Sequence, residues 1–203
     1  MIYLIITSSI LNKAGTINPE HRKANYINSI RQTLSVLPKE IKPIIVENNG
    51  FRETYLDNLG CDIHYTDTNV INYFHKGVNE LEDIKAVITK YNIQDTDTVI
   101  KLTGRYHLLN SNFFNFVINN PNFDAYVKFY SNPNWGQSND NDTILGVFAM
   151  KCKYLKMFEY SDFTKPPEVE LATFCNGHLD NIYRAGTLSL RCCFADNLRI
   201  EDF

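Results

Sequence analysis

The segment QDTDTVIKLTGRYHL, residues 94–108, sets two kinds of chemistry on either side of one apolar run. Before the run stand Asp95 and Asp97, hard-oxygen donors of the type that hold a divalent cation. After it stand Gly104 and Arg105, which offer bare backbone and a planar, permanently charged fork suited to phosphate oxygens. Arg105 would serve equally in a salt bridge to a loop carboxylate. Lys76-Gly77 opens a helical pattern, where unpaired N–H groups and the helix dipole receive anions. Farther on, Pro166-Pro167-Glu168-Val169-Glu170-Leu171 reads as a helix start whose acidic first turn the dipole already favours. The stripe Leu171, Phe174, Cys175, Leu179 and Ile182 marks the inward face, and stepping back three positions puts Glu168 on it, with Glu170 to the side. A carboxylate at the end of an inward stripe lies at a cleft edge, partly desolvated, and suits a general base.

Other residues carry weaker chemistry. Asp140-Asn141-Asp142 could ligate a metal or meet a second substrate, but it lacks the Gly and distal Glu of an EF-hand loop and reads equally as a solvated loop. Trp135-Gly136 is either a stacking platform or a loop anchored in the core. His178 is a metal ligand or, as usual for one His on a helix, structural.

The elements that must position these groups follow from periodicity. Tyr3–Thr7 is a buried strand. Asn18–Leu37 begins with Asn-Pro-Glu and carries Ile27, Ile30, Leu34 and Leu37 at helical spacing. Lys42–Val46 is a second strand, Phe51–Leu59 a short helix and Cys61–Tyr65 a third strand. A helix over about Lys76–Tyr91 precedes a fourth strand, Thr98–Leu102. The second half is less regular, with a helix near Asn112–Asn119, a strand at Ala125–Tyr130, a polar loop at Ser131–Asp142, a strand or helix start at Ile144–Met150 and the helix after Pro166. Alternation of strands and helices predicts an α/β domain with a mostly parallel sheet and right-handed crossovers. The chain is expected to be one domain, 1–203, with a change of rhythm near 107.

In such a sheet the ligand sits at the carboxyl ends of the strands. Asp95 and Asp97 lie before their strand, at the wrong end, and are expected to form a polar turn. The useful end gathers Thr7, Ser8 and Ser9, then Glu47 and Asn49, then Asp67 and Asn69, then Gly104 and Arg105. Any one of these loops alone is ordinary turn chemistry; their common edge is the signal. Lys101, between Ile100 and Leu102, either faces a polar cleft or snorkels from a half-buried strand.

Composition narrows the class. Across 203 residues, 44% hydrophobic and 21% charged, there is material for a full core. A net charge of −3 leaves no polybasic footprint, so nucleic acid is not an expected partner. The five cysteines show neither a disulfide framework nor zinc-ligand spacing. The apolar start Met1–Thr7 is too short for a signal sequence or a membrane span, and the expectation is a soluble, cytoplasmic protein.

The succession of a strand ending ENNG, a strand ending TDTN, an HKGVNEL helix and a VIKLTGRY strand resembles the GT-A type of nucleotide-sugar glycosyltransferase. It is most similar to small divergent members from bacterial surface-polysaccharide pathways and large DNA viruses. The likeness is strong over residues 1 to about 108 and weaker beyond. His75 stands where that group has Asn, and Gly-Arg-Tyr stands where the wider family ends its fourth strand in a metal-binding DxD. The resemblance implies a GT-A-like fold with residues 1–107 as the nucleotide-sugar half and 108–203 as the acceptor half. It implies transfer of a sugar from a nucleotide diphosphate sugar to a hydroxyl of a glycan acceptor, with Arg105 on the leaving diphosphate; inversion is expected because one plausible base, Glu168, and no dedicated nucleophile stand in the sequence. Thr7, Ser8, Glu47, Asn49, Asp67, Asn69, Lys76, Lys101, Gly104 and Arg105 are the expected donor contacts. Arg105 would stand in for the metal; otherwise Mn or Mg is held by Asp140 and Asp142. The competing readings are a sugar nucleotidyltransferase, for which Leu11-Asn12-Lys13-Ala14-Gly15 is only a faint basic loop, and a non-catalytic nucleotide- or carbohydrate-binding descendant.

Overall fold

The computed structural model describes residues 1–11, 18–71, 75–132, 137–194 and 199–203. Trp135-Gly136 and most of the Leu11–Gly15 segment lie outside them.

The first strand, Ile2–Ser8 (β1), is buried along almost its whole length. Helix Pro19–Ser35 (α1) starts where the sequence predicts: the Asn18 side chain accepts from the N–H groups of Glu20 and His21, and Pro19 takes the first turn. Strand Ile41–Glu47 (β2) and strand Asp62–Tyr65 (β3) follow. Between them the short helix expected at Phe51–Leu59 contracts to one 3-10 turn, Tyr55–Asn58, capped by Thr54 and Asp57. Helix Lys76–Lys90 (α2) leads to strand Thr98–Thr103 (β4). Strand His107–Leu108 (β5), helix Asn112–Asn119 (α3) and strand Ala125–Val127 (β6) come next.

The expected polar loop at Ser131–Asp142 is instead a hairpin, formed by strands Phe129–Asn132 (β7) and Gln137–Thr143 (β8), with a register shift at Phe129/Tyr130. Strand Val147–Lys151 (β9) runs into helix Cys152–Met157 (α4), and helix Pro167–His178 (α5) precedes strands Ile182–Arg184 (β10), Leu190–Cys193 (β11) and Ile200–Asp202 (β12).

The central sheet has the order β10-β6-β9-β4-β1-β2-β3. Every pairing is parallel except those of β9, which runs antiparallel between β4 and β6. Period-two alternation sends Tyr3 and Ile5 of β1 to one face, against Leu81, Ile84 and Val87 of α2 and Leu171 and Phe174 of α5. Leu4 and Ile6 go to the other, against Tyr26 and Ile30 of α1 and Phe113 and Phe114 of α3. Two apolar layers on a sheet covered on both sides explain why these strands read as unbroken hydrophobic runs. A second sheet, β12-β11-β5, closes the end of the molecule where β4 finishes. No helix among the described residues is long and apolar enough to cross a membrane.

Candidate functional site

The carboxyl edge is built on two buried carboxylates. Glu47, at the end of β2 and fully buried, accepts from Ser8 Oγ at 2.6 Å, the Ile10 N–H at 3.2 Å and Asn49 Nδ2 at 2.5 Å. It ties the loops after β1 and β2 together. Asp83, fully buried on α2, accepts from Asn48 Nδ2 at 3.0 Å and from Thr66 and Thr68 Oγ1, both at 2.6 Å. Burial pushes its carboxyl up to about 6 against these three hydrogen bonds, which pull the other way. Asn69 completes the frame, with Nδ2 2.6 Å from Asn49 Oδ1.

Above this frame runs one continuous cleft with three chambers. The first, about 70 Å³, lies among Thr7, Ser8, Asn48, Asn69, Arg22 and Tyr26. It shares a waist of Lys76, Glu80, Thr103 and Arg105 with a second chamber of about 240 Å³. Tyr106, Leu145, Gly146 and Glu168 join that chamber to a third, about 390 Å³, walled also by Asp142 and Phe203.

At the waist, Lys101 is only 1% exposed on β4. Its Nζ donates to Thr103 Oγ1 at 2.7 Å and Leu145 O at 2.8 Å, and pairs with Glu80 Oε2 at 2.7 Å. The strand position therefore neither snorkels nor opens freely to the cleft; its charge is held beneath the surface. Glu80 also accepts from Thr7 Oγ1 at 3.2 Å. Arg105 reaches across to the C-terminal sheet, where Nη1 donates to the Cys193 carbonyl, and Ser29 Oγ holds the Arg105 carbonyl at 2.9 Å. The alternative expected for Arg105, a loop carboxylate, gives way to a carbonyl partner.

Gly104 answers a different need from the one expected. A Cβ there would lie 2.8 Å from Thr7 O and 2.9 Å from Tyr26 Cε1, so the missing side chain makes room for packing of β1 and α1, not for a ligand. Gly146 does the same for Tyr106, whose Cδ2 would stand 2.6 Å from an added Cβ.

Of the expected donor contacts, Thr7, Ser8, Asn69, Lys76, Lys101 and Arg105 line the first two chambers. Glu47 and Asn49 are engaged in the frame, and Asp67 is an exposed residue ahead of a 3-10 turn. Asp95 and Asp97 sit at the opposite edge of the sheet, where Asp95 pairs with Lys156 at 2.6 Å and Asp97 accepts from the Gln94 N–H at 2.9 Å.

Glu168 and Glu170 need a correction. Glu170 does not fall to the side; it is 4% exposed, and Oε2 accepts from the Ser161 N–H at 2.9 Å and Oγ at 2.7 Å. Helix α5 is wedged between β8, where Thr143 Oγ1 donates to the Glu168 carbonyl at 2.8 Å, and the segment around Ser161. Its inward arc is thus wide enough to take both acids. Glu168, half-buried, lines the second and third chambers. Burial raises its carboxyl above the usual range and nearby Asp142 adds to the rise, while Lys101 opposes it.

The acidic pair on β8 lies in the irregular stretch opposite Phe129/Tyr130, which breaks the alternation that would set residues two apart on one face. Asp142 lines the third chamber, and Asp140 pairs with Arg184 at 3.0 Å. They do not converge on one ion. Among the described residues no group of three or more His, Cys, Asp or Glu is arranged to hold a metal. The position after β4 presents Thr-Gly-Arg, and the nearest cleft carboxylate, Glu80, is neutralised by Lys101. This donor set does not fit Mn or Mg. His178 packs on the Phe174 ring, with Nδ1 3.1 Å from Phe174 O.

Sequence reasoning passed over Arg22, Tyr26, Glu80 and Gly146. Arg22 and Tyr26 are four apart on α1 and both meet Ser9: Arg22 Nε donates to its carbonyl at 2.8 Å, and the Tyr26 hydroxyl accepts from its N–H at 3.0 Å. The Lys76–Glu80 spacing of one helical turn was the signal for Glu80.

No family model matches the chain, and no curated protein sequence does either. Solved structures do. A protein described as a nucleotide-diphospho-sugar transferase from Desulfovibrio desulfuricans G20 is 9% identical with a TM-score of 0.57, over 91% of this chain and 79% of that one. A CMP:2-keto-3-deoxy-manno-octonic acid synthetase complexed with CTP is 11% identical with a TM-score of 0.56, over 91% and 88%. A mannosyltransferase from Pyrobaculum calidifontis in complex with GDP-Man and Mn²⁺ is 9% identical with a TM-score of 0.56, over 91% of this chain and 54% of that one. The shared feature is the fold: a GT-A-like, mixed α/β domain with a mostly parallel central sheet flanked by helices.

Proposed function

We propose that the protein is a glycosyltransferase that moves a sugar from a nucleotide diphosphate sugar to an acceptor hydroxyl by a single, inverting displacement. The observation that carries this reading is the continuous cleft, which sets two cations at a waist between a polar chamber and a chamber holding a desolvated carboxylate. Nucleoside, diphosphate, sugar and acceptor follow one another in the same order along the substrate. Thr7, Ser8 and Asn69 meet the nucleoside. Lys76, at the N-terminus of α2, and Arg105 meet the diphosphate and stabilise the charge that grows on it as the glycosidic bond breaks.

Glu168 takes the proton from the acceptor hydroxyl as its oxygen bonds to the anomeric carbon and the nucleoside diphosphate leaves with the bonding pair. The raised carboxyl brings its proton affinity nearer to that task. Because the donor set does not fit a divalent ion, no step runs through one; the cations of the waist carry the leaving group. Burial first, with the Asp142 charge adding to it, holds the Glu168 carboxyl above the usual range, so transfer rises with pH as Glu168 ionises.

The test is product analysis after incubation with UDP-, GDP- and dTDP-linked sugars and oligosaccharide acceptors, with and without EDTA. Free nucleoside diphosphate and a glycosylated acceptor are the expected products. Pyrophosphate made from a nucleoside triphosphate and a sugar would establish the nucleotidyltransferase reading instead. Binding without any turnover would establish a descendant that only binds.

A further inference from the structure

The waist of the cleft contains a group that phosphate binding does not call for. Of the four side chains shared by the first two chambers, Lys76 and Arg105 are cationic and the Thr103 hydroxyl already accepts from Lys101. The fourth is the carboxylate of Glu80, and a carboxylate beside an anion-binding pair opposes the anion.

The chain has gone to some length to keep it there. Glu80 is about a quarter exposed, while its partner Lys101 is buried in the middle of β4, and the two meet at 2.7 Å. A buried ion pair of this kind contributes little or no stability over well-packed apolar residues of the same volume. Here the pair neutralises the carboxylate from below and leaves its upper side toward the cleft. Thr7 Oγ1, donating at 3.2 Å, fixes its rotation.

Its place along the cleft identifies what it meets. Glu80 lies one helical turn beyond Lys76 on the same face of α2, deeper than the helix N-terminus that receives the diphosphate. Its charge is felt at Glu168 and at Tyr106, on the reacting side. In the proposed reaction the group between the diphosphate and the base is the donor sugar. We infer that Glu80 is a specificity-determining residue that accepts hydrogen bonds from hydroxyls of the donor sugar, held in register by its ion pair with the buried Lys101. The ligand class is a hexose that presents an unmodified hydroxyl on the face turned to α2, and deoxygenation there removes the contact. This assignment rests on the glycosyltransferase reading and extends it to the choice of sugar.

The experiment compares, by calorimetry, the affinity of the nucleoside diphosphate alone with that of the matching nucleotide sugar. The active donor from the product screen is used, or UDP-glucose and GDP-mannose with UDP and GDP where binding is seen without turnover. Glu80→Gln is expected to weaken the nucleotide sugar by roughly 10- to 100-fold, the range of one charge-assisted hydrogen bond. Nucleoside diphosphate affinity stays within about threefold or tightens, because a negative charge beside the phosphates is gone. The double variant Glu80→Gln with Lys101→Met removes the burial of an unpaired ammonium and should show the same split in a fully folded protein. A deoxy analogue of the donor sugar at the contacted position should bind the wild type and Glu80→Gln alike. Equal losses for nucleotide and nucleotide sugar in the double variant, or no loss for either, would overturn the assignment while leaving the transferase reading intact. Failure of every nucleotide sugar to bind the wild type would overturn both.

Discussion

Glu168 and Glu170 stand two positions apart in the first turn of α5, yet Glu168 lines the cleft while Glu170 is buried against Ser161, and the proposed mechanism assigns transfer to the first alone. Glu170→Ala removes two hydrogen bonds from Ser161 to a buried carboxylate. Each bond to a charged group contributes about 1.5–3 kcal/mol, and because Ser161 itself is exposed and regains water, the net loss comes to about 2–4 kcal/mol. A chain of 203 residues has an unfolding entropy of about 0.43 kcal/mol/K at roughly 2.1 cal/mol/K per residue, so the melting temperature should fall by about 5–9 °C. Glu168→Gln keeps the shape of the side chain and the backbone contact from Thr143. Because burial disfavours its charge, its Tm should stay within about 2 °C or rise slightly. Transfer should drop by roughly 10²–10⁴-fold in that variant, with donor binding retained. Differential scanning fluorimetry and initial rates on the same preparations give both readouts. If Glu168→Gln costs stability and spares the rate, or Glu170→Ala abolishes transfer with Tm unmoved, the division of roles is wrong.

Three further outcomes follow from the frame of the site. Gly104→Ala should lower Tm by about 2–7 °C, equivalent to about 1–3 kcal/mol of overpacking, since the Thr7 carbonyl it would meet is fixed by the Gly104 N–H. Scanning fluorimetry showing no change would mean that the gap can relax. Asp83 holds its proton more tightly folded than unfolded, so it stabilises the fold at low pH and that contribution is lost as pH climbs from 3.8 through about 6. Urea titrations at pH 4.5 and 7.5 should show Asp83→Asn with a pH dependence shifted by about 2 kcal/mol relative to wild type, from the ~1.5 pH units between 4.5 and the folded pKa at 1.36 kcal/mol each; superimposable profiles would count against it. Asp95→Ala combined with Asp97→Ala should leave donor affinity and turnover near normal, as both acids lie at the far edge of the sheet, and loss of binding would contradict that geometry.

What the sequence disclosed is whatever local pattern alone decides. Asn18-Pro19 announced the start of α1, β-branched runs announced β1, β2 and β4, and strand direction was enough to set Asp95 and Asp97 apart from Arg105. Gln137–Thr143 could not be read as a strand because its residues are those of a loop, and its pairing with Phe129–Asn132 comes from the backbone. The Glu170 placement failed for a related reason. A single stripe on α5 assumes one packing partner, and the helix has two. Gly104 shows the same limit: a glycine at a strand end looks identical whether a ligand or a neighbouring tyrosine fills the space, and only the position of Tyr26 decides. Lys101 alternates correctly for a cleft residue, but its burial depends on Glu80 arriving from a helix far back along the chain.

A Cβ on Gly77 would stand 2.6 Å from Pro167 Cβ and Cγ, so the first turns of α2 and α5 are seated directly on one another. A chimera that keeps residues 1–107 and borrows its remainder from another protein of this fold would preserve the strand order, yet any bulkier pair at this seat would wedge the two helices apart. The donated half would then be grafted onto a sound sheet with the position of Glu168 displaced from the cleft, and such hybrids should fold well and lose any transfer unless Gly77 and Pro167 travel together.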